Sequence, residues 1–558
     1  MYFERTQPAD AGAQSITLTS SGARATKASP MKLPRSLLLS GMMATGKSTV
    51  GRLAAAKAGV PFVDLDAAIE VEAGTSVPDL FATRGEPAFR AMESAVLSRL
   101  LHDGVVRVIA LGGGALVPRA LRHEALEHAT VVTLTAPLAQ LLERAKPYET
   151  RPLLAGSDPT GTLARLSDLR ADAYAEAHAT LATDDRDVDA LADAALAIAA
   201  RAPISMPLGR RSYALDVVVD APERLTDVLA CLAPSKLLFV SDANVDRARA
   251  AALKPVRRAL AIPAIDVVLP AGEEHKNLNA IATIWDAALG SGVDRDTVVV
   301  AFGGGVVGDL AGFAAATLLR GVRFVQVPTT LLAMVDSSVG GKTGFDSTAG
   351  KNLIGAFHQP SAVVADMAHL STLAPRQHTA GFAEVVKVAL CTDAPLFEFC
   401  EENADVLVSR DPQATREMVR RAIAAKARSV RDDEYEQGAR ALLNAGHTAG
   451  HGLETAGAYT RHLHGEAVSA GLVFELRWLS ERGLADRQLV DRTERLLTRL
   501  GLPVAARPGE WAAAASFVGA DKKRRGRSVV LPTVKSLGAG ELVRVPMADF
   551  EAGLRARI

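Results

Sequence analysis

Cysteine is scarce in this chain: Cys231, Cys391 and Cys400 are its only three, far apart and without a CxxC pair. That excludes a disulfide framework and a cysteine-based zinc site, and it fits free buried thiols in a reducing cytoplasm. Charge of one sign is missing too. Lys+Arg and Asp+Glu both total 63, so no global basic field draws the protein to nucleic acid or to a membrane surface. Any basicity is local, which suits small anionic ligands. No cationic segment leads into an apolar core at the start, so no signal peptide is expected. The longest apolar stretch, Val298 to Leu319, is broken by Asp309 and a run of glycines and ends in a basic Arg-Gly-Val-Arg. A strand, turn and helix explain it better than a bilayer span of ~20 residues.

What is present is a globular composition, 48% hydrophobic and 23% charged over 558 residues, enough for three or four domain-sized units. Residues 1–32 are rich in Ser, Thr, Ala and Gly without apolar periodicity. They are expected to be disordered, with Met31 an alternative start. From Ser36 short apolar runs alternate with alanine-rich helices, such as VVTLT at 131–135 and the helix around Leu191 to Ala200. This predicts an α/β domain over 33–201 with a parallel sheet covered on both faces. Ala202 to Arg210, with two prolines and a glycine, reads as a boundary. A second α/β domain is expected over 204–374, with strands at 237–242, 267–270, 297–302 and 323–328. From about Pro375 helical periods rich in Ala, Glu and Arg predict an all-helical domain over 375–558, in which the basic turn DKKRRGR (521–527) precedes a strand SVVLPTV and a closing helix.

Gly41-Met-Met-Ala44-Thr45-Gly46-Lys47-Ser48-Thr49 matches GxxxxGK[ST] between a predicted strand and helix. Loop N–H groups cradle phosphates, Lys47 reaches the β/γ oxygens and the Ser48 hydroxyl ligates Mg²⁺. Kinases, GTPases and ATPases share the motif, so it gives no substrate by itself. Further signals follow in order. Asp64 and Asp66 end a strand, one suited to a metal shell and the other to substrate hydroxyls. Arg90 and Glu93 follow, then Gly112 to Gly114 after IAL, Arg151 in ETRPLL and Arg170 in LRADAYAEA. In this order and spacing they resemble shikimate kinase. The resemblance implies ATP with Mg²⁺, Asp64 near the metal, and Asp66, Arg90, Gly113 and Arg170 around shikimate. It places Arg151 on a lid closing over the nucleotide and Arg144 near it. Asp172 departs from the family, which has proline there.

The second chemical block is Gly303-Gly-Gly305-Val306-Val307-Gly308-Asp309, followed by RFVQVP, Thr329-Thr330, Asp336, Lys342, Lys351 and Asn352. Glycines after an apolar strand let a backbone approach a pyrophosphate closely, and the crowd of hydroxyls and lysines suits an anionic substrate. RFVQVP ends in threonines rather than the acid of a standard dinucleotide unit, so GxGxxG alone is a weak sign. Further on, His447 and His451 lie four apart on one helical face, with His464, His462 and Glu384 as other ligand candidates. Thr448 stands where HExxH would need glutamate, which excludes that protease class. Spacing alone does not choose three ligands among these five.

Nearly all of this block resembles 3-dehydroquinate synthase, from about Ile204 to the end of the chain. The resemblance implies NAD⁺ held by Asp242, Asn244, Glu273, Lys276, Gly305 to Asp309, Thr329, Thr330, Lys342 and Lys351. It implies Zn²⁺ or Co²⁺ on Glu384, His447 and His464. Substrate would meet Asp336, Asn352, Lys387, Lys426, Arg440, Asn444, His451 and Lys522, with Arg320 supplied from the neighbouring subunit of a homodimer. His451 would assist proton movement, and hydride would leave to NAD⁺ and return within one turnover. The reading is thus a cytoplasmic bifunctional enzyme of aromatic biosynthesis with small-molecule substrates and no nucleic-acid or membrane partner. Two other readings compete: a kinase fused to another sugar-phosphate cyclase or a metal-dependent polyol dehydrogenase, and an N-terminal module that binds nucleotide without catalysis.

Overall fold

The computed structural model describes residues 32–146, 158–184, 186–348, 350–518 and 528–557. The predicted disorder of the first residues therefore lies outside the described ones up to residue 31, as do Arg151 and Lys522. The chain divides into two units: one reaches to Ala214 and takes in Asp227–Ala233, the other comprises Leu215–Thr226 and Pro234–Ile558. No helix among the described residues is long and apolar enough to cross a membrane.

In the first unit five parallel strands lie in the order Phe62–Asp64, Val108–Ala110, Leu37–Ser40, Thr130–Thr135, Ala179–Ala182. Leu37, Leu38 and Leu39 are fully buried, as a strand covered on both faces requires. The central strand runs into Gly41, whose φ of 131° and close approach to the Leu134 carbonyl leave no room for a side chain: a Cβ would lie 2.2 Å from that oxygen. The chain then turns into the helix Lys47–Ala58.

In the second unit a parallel series runs Ala362–Asp366, Arg323–Pro328, Val298–Gly303, Leu237–Asp242, Ala264–Leu269. Val298, Val299 and Val300 are fully buried. The helix Gly305–Thr317 leaves the C-terminal end of the central strand, where open α/β sheets bind ligands. Ala333–Ser337 forms a π turn and Lys342–Ser347 pairs with Gly350–Phe357 in an antiparallel hairpin. From Pro375 onward helices dominate, as expected, with one addition. The anticipated strand, Ser528–Ser536, pairs with Ala539–Pro546, so the region is not purely helical. Val529, Leu531 and Val545 pack this ribbon into one apolar cluster with Trp478 and Phe550. The second strand gave no signal because its Gly, Glu and Arg leave it mostly exposed.

Three helices of this region approach one another through glycine. At Gly465 a Cβ would lie 1.9 Å from the Ala380 carbonyl oxygen, and at Gly471 it would lie 2.2 Å from that of Gly446. These contacts draw His464–Ser480 onto both Pro375–Thr392 and His447–Ala456. Gly465→Ala is expected to force the first pair apart, at a cost of about 1–3 kcal/mol typical of overpacking. A lowered unfolding midpoint together with loss of bound metal, read by elemental analysis, is the expected outcome.

Candidate active sites

The Gly41–Ser48 turn carries no side-chain cap at the start of its helix, so its backbone N–H groups are open to an anion. The Lys47 ammonium folds back over the turn and donates to the Gly41 and Met42 carbonyls at 2.9 and 2.8 Å. Ser48 donates to Asp64 at 2.7 Å, which joins the two metal candidates. Ala44 takes a left-handed φ of 63° within the turn. Beside it, Gly112, Gly113 and Gly114 are lined by Asp66 with Glu93, by Arg170, and by Arg90: a Cβ would lie 3.0, 2.6, 2.8 and 2.9 Å from these side chains respectively. The absence of side chains here is what lets two acids and two guanidiniums converge. Arg90 holds Glu93 at 2.6 Å, and the Tyr174 hydroxyl donates to the Gly113 carbonyl at 2.6 Å. Burial, and then the neighbouring Asp64, push the Asp66 carboxyl up; burial raises Glu93 as well. Arg144 instead bonds Thr183, through its hydroxyl and its carbonyl at 3.1 Å each. Despite Asp172, the helix Ala171–Ala175 forms, and Tyr174 N–H donates to the Arg170 carbonyl at 3.0 Å.

In the second unit a cavity of about 1190 Å³ runs from Asp242, Asn244 and Glu273, past Gly305 and Thr330, to His447, His451 and His464. Asp242 caps the helix Ala243–Arg249, accepting from the N–H groups of Asn244 and Val245 at 2.8 and 3.1 Å. The helix Gly305–Thr317 has no side-chain cap, and the Thr329 hydroxyl is buried without a hydrogen-bond partner. Both features fit a bound pyrophosphate and its ribose. Lys276 donates to Asp309 at 2.6 Å and to Asn352 at 2.7 Å. Burial opposes its charge, yet Asp309 and Glu273 hold it above the usual lysine range. Gly308 packs on Gln326, and a Cβ there would lie 2.8 Å from its oxygen.

The substrate candidates gather deeper. The π turn presents both the carbonyl and the carboxylate of Asp336 to Lys426, each at 2.5 Å. Burial, with Arg440 nearby, lowers Lys426 to about 8 despite Asp336. Arg440 bonds the Glu434 and Gly340 carbonyls, while Lys342 and Asn444 both contact Glu436. Arg320 does not line this cavity; it is exposed, with a left-handed φ of 67°.

Of the five metal-ligand candidates, Glu384, His447 and His464 bring one ligand atom each within 4.8 Å of one another. Glu384 Oε1 lies 3.7 Å from His447 Nε2 and 3.4 Å from His464 Nε2. Although Lys387 makes an ion pair with it, neither Glu384 oxygen accepts a well-directed hydrogen bond. Two buried acceptor oxygens with that geometry, beside two imidazoles, fit a divalent cation. Burial opposes ionisation of Glu384, but Lys387 and His464 hold its carboxyl down at about 2. His447 Nδ1 faces the Ala445 carbonyl at 3.2 Å, which turns Nε2 toward Glu384. His462 pairs instead with Glu510 at 3.1 Å and is not a ligand candidate by position. His451, Glu454 and His464 form a second group of the same compactness, but Lys351 already satisfies Glu454 at 3.1 Å.

Comparison with known proteins adds the family. Models described as 3-dehydroquinate synthase N-terminal and C-terminal match residues 266–380 and 381–524, and the shikimate kinase model matches 43–199. A 3-dehydroquinate synthase of Acidithiobacillus ferrooxidans is 40% identical over 354 residues, covering 63% of this chain and 97% of that protein. The chain belongs to the 3-dehydroquinate synthase family, with a shikimate kinase domain fused ahead of it. It therefore joins a phosphotransferase to a carbon–oxygen lyase. Among solved structures, a 2-deoxy-scyllo-inosose synthase complexed with carbaglucose-6-phosphate, NAD⁺ and Co²⁺ is 25% identical (TM-score 0.58, 64% of this chain, 100% of that one). The 2-epi-5-epi-valiolone synthase of Streptomyces hygroscopicus with NAD⁺ and Zn²⁺ is 30% identical (TM-score 0.55, 62% and 96%). These two synthases share the fold at lower identity than the 3-dehydroquinate synthase.

Three acids are not foretold by the sequence: Glu436 and Glu454 line the cleft, and Glu475 is buried behind it. Glu436 meets Lys342 and Asn444. Glu454 lies between Lys351 and His464. Glu475 accepts from the Gly446 and Ala449 N–H groups at 2.8 Å each, capping the His447 helix. Only Glu475 left a trace: an acid inside the apolar run 467–479, which needs buried partners. Removal of His464 as His464→Ala is expected to strip the metal during dialysis, whereas His462→Ala keeps it. Elemental analysis of both variants checks this, and metal lost from His462→Ala would redraw the ligand set.

Proposed function

We propose that the first module phosphorylates shikimate with ATP and Mg²⁺, and that the second converts 3-deoxy-D-arabino-heptulosonate 7-phosphate to 3-dehydroquinate and phosphate. The observation that carries the second half is that Glu384, His447 and His464 converge at the far end of a cavity that begins beside an uncapped glycine turn. The working divisions are 33–201 for the kinase, 204–374 for the NAD-binding part and 375–558 for the metal and substrate part. The two similar synthase structures, one holding NAD⁺ with Co²⁺ and the other NAD⁺ with Zn²⁺, support NAD⁺ and a zinc or cobalt ion here.

In the kinase, Gly41 to Thr49 hold the nucleotide phosphates, and Lys47 exchanges its loop carbonyls for phosphate oxygens. Ser48 and Asp64 hold Mg²⁺. Asp66 accepts from shikimate hydroxyls, while Arg90 and Arg170 fix its carboxylate beside Gly113 by paired N–H donors. Phosphoryl transfer needs this positioning and charge neutralisation more than covalent help. Arg151, outside the described residues, is assigned to the lid.

In the synthase, Asp242, Asn244, Glu273, Lys276, Gly305 to Asp309, Thr329, Thr330, Lys342 and Lys351 hold the dinucleotide, which supplies a reversible hydride acceptor. Glu384, His447 and His464 hold a divalent cation, which supplies Lewis acidity at the substrate hydroxyls. Lys387, Lys426, Arg440, Asn352, Asn444 and Lys522 orient the carboxylate and phosphate, with Asp336 fixing Lys426. His451, its ring centroid 5.2 Å from that of His447, shuttles protons. Arg320, exposed and not lining its own cavity, completes the phosphate site of a second copy in a homodimer. The reduced, widely spaced thiols suit the cytoplasm.

Lys47→Ala is expected to abolish shikimate phosphorylation and spare cyclisation, and His447→Ala to do the reverse; cyclisation surviving in chelated His447→Ala would remove the assignment. The pH profile gives a separate check. Lys426 is a cation below about 8 and neutral above it, and an anionic substrate binds the cation. So kcat/KM for cyclisation, which reports the free enzyme, is expected to fall above that value, and Lys426→Met to lose that limb. A wild-type profile flat well beyond it would exclude Lys426 from anion binding.

A further inference from the structure

Glu454 has no part in the scheme above, yet it is 3% exposed and touches both halves of the site. One oxygen accepts from Lys351 Nζ at 3.1 Å; the other lies 3.2 Å from His464 Nδ1. Lys351 also pairs with Glu273 at 3.1 Å, and its ammonium lies 4.5 Å from the Tyr459 ring centroid. His464 turns its other nitrogen to Glu384 at 3.4 Å. A continuous chain of contacts thus runs Glu273, Lys351, Glu454, His464, Glu384. Its first two members belong to the dinucleotide set and its last two to the metal set. Glu454 is its single link.

We infer that Glu454 is a positioning residue that couples metal binding to dinucleotide binding in the synthase. The inference rests on the ligand sets proposed above. A carboxylate on the far nitrogen of a metal-binding imidazole fixes the ring and its tautomer and strengthens it as a ligand. The same carboxylate holds the Lys351 ammonium in the cavity, where the dinucleotide meets it. With its Nε2 engaged by a cation, His464 would keep its Nδ1–H on Glu454, and Glu454 would hold Lys351 in one place before the dinucleotide arrives. Such coupling is reciprocal: whatever factor the metal adds to NAD⁺ affinity, NAD⁺ adds to metal affinity.

The experiment is calorimetric titration of the full chain. NAD⁺ is titrated into protein stripped by chelator and into protein reloaded with zinc, and zinc is titrated with and without NAD⁺. The expected result is a tenfold tighter Kd in each case, near the low end of the usual ~5–150-fold range for coupled sites. In Glu454→Gln, zinc affinity is expected to fall ~10–100-fold, and the NAD⁺ ratio between loaded and stripped protein to collapse toward unity. Glu454→Asp, which keeps the charge but shortens its reach, serves if the glutamine variant does not fold, and is expected to show an intermediate ratio. A wild-type ratio of one overturns the inference, as does full coupling in the variant that folds. Zinc titration of Glu384→Gln separates the two levels: loss of zinc there with no coupling in the wild type sinks the link alone, whereas unchanged zinc affinity sinks the ligand set.

Discussion

The synthase depends on a carboxylate with almost no access to water. Glu384 is 2% exposed, and a buried charge is tolerated only where opposite charge surrounds it. Lys387 lies one turn along the same helix, and His464 and His447 close in from two others. The acid and its cations therefore constrain one another. Lys387 is held above the ordinary lysine range, against burial, by Glu384 and Asp336, and Asp336 in turn anchors Lys426. Charge passes in alternation from the metal candidates through Lys387 and Asp336 to Lys426.

This network needs backbones closer than side chains permit. Glycine supplies the clearance at Gly465 and Gly471, where even a methyl group would meet a carbonyl oxygen. The glycines in NAGHTAGHGLE and HGEAVSAG therefore belong to the packing of the site as much as to the turns of the chain. Glu475, capping the His447 helix from within the facing helix, secures the same approach by hydrogen bonds.

The two modules solve anion binding alike. Each places a glycine turn after a central strand of parallel pairs and leaves the following helix start without a side-chain cap, where N–H groups suit an anion. They differ in what faces that turn. In the kinase it is a second glycine segment ringed by Asp66, Glu93, Arg90 and Arg170. In the synthase it is a long polar cavity ending in imidazoles.

Much of this was legible in the residues themselves. Apolar runs of β-branched and leucine residues marked Leu37–Ser40, Leu237–Asp242 and Arg323–Pro328 almost to the residue, because a strand buried on both faces must be apolar throughout. The two glycine turns were legible because glycine spacing is a backbone requirement. The metal set was not. Helical spacing puts His447 and His451 on one face, but their equivalence along the helix says nothing about which faces Glu384. Nor does it show that His462, two residues from His464, turns away to Glu510. Glu436 and Glu454 were invisible for the same reason: an acid near other polar residues looks solvated until its neighbours in space are known. Sequence by itself determined the kinds of chemistry, since motif residues and their order are local properties of the chain. Only the tertiary structure decided which side chains share a site, because that follows from how closely separate helices can pack.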